Sequence, residues 1–149
     1  MESIAVFVND AAHARHILQP MLEGSQATRW ILVACPPTFT RHIGRFVSKL
    51  AREQWRERWS QDLFSQLEPE LKNHAGNVVD KLVAKRPLVD VSARLAARLP
   101  AVRLLDARRP RIGKIDEPIT VTQPGDRTMP WAAPLAITTG LSAVLALAD

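Results

Sequence analysis

The chain has 149 residues, of which 46% are hydrophobic and 23% are charged, and its formal net charge is +5. This length is that of one domain with a full core, and the composition excludes wholesale disorder. The positive charge favours anionic partners such as nucleotides, nucleic acid or an anionic lipid surface.

The chain begins with an apolar run over residues 3–8, which predicts a buried strand. Asn9 and Asp10 follow it, and a helical pattern covers residues 11–23, with a kink or an early end expected at Pro20. A strand that turns directly into a helix in this way is typical of open α/β sheets, whose ligands bind at the carboxyl ends of the strands. Asp10 is therefore the first candidate site residue, either as a ligand contact or as the N-cap of the helix.

A second buried strand is predicted over residues 29–35, and two prolines end it. Its last residue, Cys35, is the only cysteine of the sequence, so no disulfide can form within the chain. No base partner for a nucleophilic thiol is near it in the sequence, and Cys35 is interpreted as a small core residue.

A long helix is predicted over residues 48–74, after a basic loop or short helix, and Pro69 interrupts it near its end. Trp55 and Trp59 lie among arginines on this helix. That combination fits packing against a sheet, with arginines over the indoles, and it also fits a nucleic-acid surface. No nucleic-acid-binding motif accompanies it, so packing is the preferred interpretation.

Residues 77–84 predict a third strand, whose mixture of apolar and charged residues is typical of a sheet edge. A short helix is expected over residues 88–99, and a fourth strand over residues 101–105, directly before Asp106. The resulting order, βαβαβαβ, predicts a parallel sheet with right-handed crossovers. Residues 118–122 are a candidate for a fifth strand, whose edge is able to pair with another strand.

Residues 131–148 carry no charge, which raises the question of a membrane span. A helix from Pro134 to the end would span only about 22–24 Å at 1.5 Å per residue, short of a bilayer core of about 30 Å. We therefore expect residues 131–149 to form an apolar helix packed on the domain or on a dimer partner.

Four segments carry a resemblance to a known family. They are Val-Phe-Val-Asn-Asp-Ala-Ala-His-Ala at residues 6–14, Val-Ala-Cys-Pro-Pro at 33–37, Leu-Val-Ala-Lys-Arg-Pro-Leu at 82–88 and Ala-Val-Arg-Leu-Leu at 101–105. Over residues 3–122 the chain resembles the universal stress protein family, and more widely the adenine-nucleotide α-hydrolase-like folds. The resemblance implies one domain, residues 1–149, built as a three-layer α/β sandwich with a mostly parallel sheet of about five strands.

In nucleotide-binding members of that family, a glycine motif follows the fourth strand, and its backbone amides cradle the phosphates. Here only Gly113 remains of those glycines, and Pro110 removes an amide donor, so the chain is similar to the branches that lack the motif and do not bind ATP. Cationic side chains occupy the segment instead. They are suited to hold an anion by charge-assisted bonds, and the alternative interpretation is a solvated basic loop. The binding residues implied by the resemblance are Asp10, Val33, Val83, Arg108, Arg109, Arg111, Gly113 and Lys114.

These observations predict a non-catalytic regulator similar to universal stress proteins, which forms a homodimer and binds ATP, AMP or another small anion weakly. The first residues lack the features of a signal peptide, so a cytoplasmic location is expected. No catalytic dyad or triad can be assembled from the sequence. Two alternatives stay open: a basic adaptor for nucleic acid or a membrane surface, and a nucleotide α-hydrolase-type enzyme. A shared site requires Asp10 and the cationic segment after residue 105 to meet at one edge of the sheet.

Overall fold

A computed structural model gives the fold, and it describes residues 1–24, 26–38, 47–74, 76–110 and 117–121. The predicted alternation of strands and helices is confirmed, and each boundary lies within two residues of its expected position. The elements are β1 (Glu2–Val8), α1 (Ala11–Leu22), β2 (Thr28–Ala34), α2 (Lys49–Lys72), β3 (Val78–Val83), α3 (Leu88–Arg98) and β4 (Arg103–Asp106).

The four strands form one sheet in the order β3-β2-β1-β4, and every neighbouring pair is parallel. β1 and β2 are central because both are nearly continuous apolar runs, which a parallel sheet covered on both faces can bury. β3 is the edge strand that its mixed sequence predicts, and the side chains of Val78 and Leu82 on it are exposed.

Helices cover both faces of the sheet, which gives a three-layer α/β arrangement. One core cluster packs α1 and α2 against alternate residues of the central strands, among them Val6, Trp30 and Leu32. The other packs α3 against the intervening residues, including Phe7 and Val33. The side-chain period of two in a strand therefore divides the apolar runs between two cores.

Both helical prolines lie inside their helices, so the early end considered at Pro20 does not occur. α1 continues two residues beyond Pro20, and α2 continues three residues beyond Pro69. Each proline lies in the last turn of its helix, so it removes one hydrogen bond to the carbonyl four residues earlier and leaves the preceding turns intact. In α2 the buried side chain of Leu71 anchors that turn to the core.

The candidate fifth strand differs from its prediction, because residues 118–121 form bends and a turn instead of a strand. Pro118 has no amide to donate to a ladder, and Ile119 is buried in the core cluster beneath α3. Thr122 and the apolar helix expected over residues 131–149 lie outside the described residues. Among the helices that the structure describes, none combines the length and apolar character needed to cross a bilayer.

Gly76 occupies a position that only glycine suits, in the turn before β3. Its φ is +88°, and an added Cβ would lie 2.9 Å from the Cβ of Ala27. We expect Gly76→Ala to lower the free energy of unfolding by about 1–3 kcal/mol, because the left-handed backbone and the close contact both penalise a side chain. Chemical denaturation of the full chain measures this change.

Gly24→Ala is the matched control, since a Cβ there meets only the Met21 carbonyl oxygen at 3.7 Å. We expect it to change stability by no more than about 0.5 kcal/mol. Equal losses in the two variants would contradict the turn geometry described for Gly76.

Candidate functional site

The carboxyl ends of all four strands lie along one edge of the sheet. Val8, Ala34 and Val83 are level with one another in the pairing register. Hydrogen bonding continues just beyond the strands, because the amides of Cys35, Ala84 and Ala107 donate to carbonyl oxygens of the neighbouring strands at 2.8–2.9 Å. The segments that follow the strands are therefore brought side by side.

A cleft of about 600 Å³ opens at this edge. Its walls come from the segments after the strands, from the first half of α2 and from Glu117 in the segment beyond β4. The lining residues are Asn9, Cys35, Pro36, Pro37, Thr38, Arg56, Trp59, Ala84, Lys85, Arg86, Pro87, Leu88, Arg108 and Glu117.

The strand order reverses between β1 and β4, which is where doubly wound sheets usually bind their ligands. Here the side chain of Asn9 bridges the two strand ends. Its Oδ1 accepts the Arg109 amide at 2.7 Å, and its Nδ2 donates to the Arg109 carbonyl oxygen at 3.4 Å. The bridge ties the two segments together, and the lining of the cleft lies largely on the β2 and β3 side.

Asp106 and Arg108 form a buried ion pair at the end of β4. Arg108 donates from Nε and Nη2 to the two carboxylate oxygens at 2.9 and 3.0 Å, and its backbone amide donates to the same carboxylate at 3.2 Å. The side chains are 0% (Asp106) and 6% (Arg108) exposed. Arg108 thus lines the cleft, but its guanidinium is bound to a carboxylate of the chain itself.

The sequence leaves Asp10 with two interpretations, and the structure shows the cap. Its Oδ1 accepts the His13 amide at 2.9 Å and caps α1, while its Oδ2 lies 3.5 Å from Nη1 of Arg109. The hydrogen bond from His13 and the nearby guanidinium hold the pKa of the Asp10 carboxyl below its usual value. Asp10 therefore lies near Arg109 in the segment after β4, although neither residue lines the cleft.

Of the remaining predicted site residues, the two that the structure describes, Val33 and Val83, do not line the cleft. Val33 is fully buried in the core cluster beneath α3, and Val83 packs against the cluster beneath α1 and α2. Arg111, Gly113 and Lys114 lie outside the described residues.

Three cationic side chains of the cleft are absent from the predicted set: Arg56, Lys85 and Arg86. In the described ranges none of them forms an ion pair, in contrast to Arg108. A Lys-Arg-Pro sequence directly after a predicted strand is the signal that could have identified two of them. Trp59 both packs against the core, as the preferred interpretation of the sequence requires, and forms part of the cleft wall.

Cys35 lies in the cleft lining and packs against the core beneath α3. Burial raises the pKa of its thiol to about 12, so the thiolate that nucleophilic catalysis requires is scarce at neutral pH. Among the residues with described positions, no group of three or more His, Cys, Asp or Glu side chains could hold a metal ion.

The cleft is chemically suited to binding a small anion, since it is concave, has one aromatic wall and carries cations without ion-pair partners in the described residues. No family model matches the chain, and neither does any curated protein or solved structure. The function is therefore argued from the geometry and charge of this cleft.

Removal of Arg108 should be costly, because it leaves the buried carboxylate of Asp106 without its charge partner. We expect Arg108→Ala to lower the free energy of unfolding by about 3–5 kcal/mol. Arg109→Ala is the matched control, since that side chain is 69% exposed and its contact with Asp10 is long. It should cost no more than about 0.5 kcal/mol. Urea denaturation compares the two, and equal costs would contradict the burial of the Asp106–Arg108 pair.

Proposed function

We propose that the chain is a non-catalytic regulator, similar to universal stress proteins, that binds a nucleotide or another small anion in the cleft. The observation that carries this proposal is the position of Arg56, Lys85 and Arg86 in one cleft at the carboxyl edge of the sheet. Ligands of parallel α/β sheets bind at this edge, and guanidinium and ammonium groups bind phosphate oxygens strongly.

The volume of the cleft and its aromatic wall favour a nucleotide over inorganic phosphate as the ligand. A volume of about 600 Å³ lies within the range of small-molecule binding sites. Trp59 supplies an indole for a base to stack on, and stacking on an aromatic side chain does not depend strongly on which base is bound. AMP and ATP are therefore the first ligands to test.

A binding role is favoured over an enzymatic role by the chemistry of the lining. Cys35 is the one thiol of the chain, and its raised pKa opposes a covalent mechanism. The guanidinium of Arg108 is bound to Asp106, so it is not available to polarise a substrate without breaking a buried ion pair.

The proposal includes the homodimer that the family resemblance implies and the cytoplasmic location expected from the first residues of the sequence. The exposed apolar side chains of Val78 and Leu82 on the edge strand β3 support self-association, because a strand edge readily pairs with a second copy.

A thermal-shift experiment with AMP, ATP and inorganic phosphate tests the binding proposal. A ligand present at ten times its Kd should stabilise the chain by about 1.4 kcal/mol, which raises Tm by about 3–6 °C. The double variant Lys85→Gln/Arg86→Gln removes two cations from the cleft and should lose most of that shift.

The control double variant is Arg94→Gln/Arg98→Gln, which removes two cations from the later turns of α3. It has the same net charge as the cleft variant, so a general effect of charge would affect both equally. We expect it to keep the full ligand-induced shift. Absence of a shift in the unmodified chain with all three ligands would contradict the proposed function.

A further inference from the structure

The carboxylate of Glu117 lies inside the cleft that is proposed to bind an anion. It accepts a hydrogen bond from the Leu88 amide at 2.7 Å, and both residues line the cleft. Leu88 is the first residue of α3, and Pro87 before it has no side-chain group that could cap the helix. Glu117 supplies that cap from 29 positions along the chain.

The place that Glu117 occupies is favourable for any negatively charged oxygen. The first amides of a helix have no acceptor within the helix, and the helix dipole favours negative charge there. Lys85 and Arg86 immediately precede this turn, and neither forms an ion pair with Glu117 or with another described residue. Glu117, the one carboxylate among the described residues that line the cleft, thus shares the cleft with the cations that would hold a ligand.

Two anionic groups cannot share this position without strong repulsion. Two negative charges about 4 Å apart repel by about 4 kcal/mol at the effective dielectric constant found near a protein surface. A phosphate that approaches Lys85, Arg86 and the start of α3 must therefore displace the Glu117 carboxylate.

We propose that Glu117 is an intramolecular competitor that lowers the affinity of the cleft for ligands with a terminal oxyanion. Its carboxylate holds the Leu88 amide until a phosphate or carboxylate group of the ligand replaces it. This inference rests on the proposed anion-binding function, and it identifies how the affinity of that site is limited.

The substitution Glu117→Gln separates charge from capping. The amide oxygen of Gln can still accept the Leu88 hydrogen bond, so the fold is kept, while the negative charge is removed. We expect the variant to bind AMP and inorganic phosphate about two- to tenfold more tightly than the unmodified chain, as measured by isothermal titration calorimetry. Glu117→Ala removes both functions and should bind at least as tightly as the Gln variant.

The matched control is Glu23→Gln at the end of α1, which makes the same change in net charge. α1 runs back from the carboxyl edge of the sheet, so Glu23 lies at the opposite edge. This variant should bind like the unmodified chain. A melting curve of each variant without ligand verifies folding.

The outcomes distinguish the two proposals. If the unmodified chain binds the ligand and both Glu117 variants bind it with the same or a lower affinity, the proposed competition is overturned. The proposed function then stays intact. Binding by the Glu117 variants alone would show that the unmodified chain does not bind the ligand, and this would overturn the proposed function. No binding of AMP or phosphate by any of these proteins would overturn both proposals.

Discussion

Parallel pairing of β1 with β2 on one side and β4 on the other forces the segments after these strands to the same edge of the sheet. Nearly continuous apolar runs make this pairing possible, because each central strand must bury both of its faces. The position of Asn9 beside Arg109, and of the β3 end beside the β2 end, follows from that register.

The charged residues that follow β4 and those that follow β3 differ in whether they form ion pairs within the described chain. On the β4 side, Arg108 is buried against Asp106, and Arg109 lies near Asp10. These charges are compensated within the chain and hold the segment after β4 in place. On the β3 side, Lys85 and Arg86 have no ion-pair partner among the described residues, and Glu117 accepts the first amide of α3 in the same cleft. Two neighbouring cations without an ion-pair partner repel each other, and these are the cations that we propose to bind an anion.

The sequence was sufficient to predict the order of elements, the parallel sheet and the edge position of β3, because hydrophobic period and composition carry that information. It was also sufficient to identify Asp10 as a helix cap or a ligand contact. It could not show which arginines form ion pairs within the described residues. Arg108 and Arg86 both follow strands, but only the structure shows that Arg108 forms an ion pair with Asp106. The hydrogen bond between the Leu88 amide and Glu117 joins residues 29 positions apart, so no local sequence pattern predicts it.

Titration of ¹⁵N-labelled full-length chain with AMP, followed by amide chemical shifts, tests most directly whether the ligand's charge is held between β3 and α3. We expect the largest shifts at the amides of Lys85, Arg86 and Leu88, together with the indole of Trp59. Shifts confined to Arg108, Arg109 and the residues that follow them, with the β3–α3 segment unchanged, would contradict this assignment.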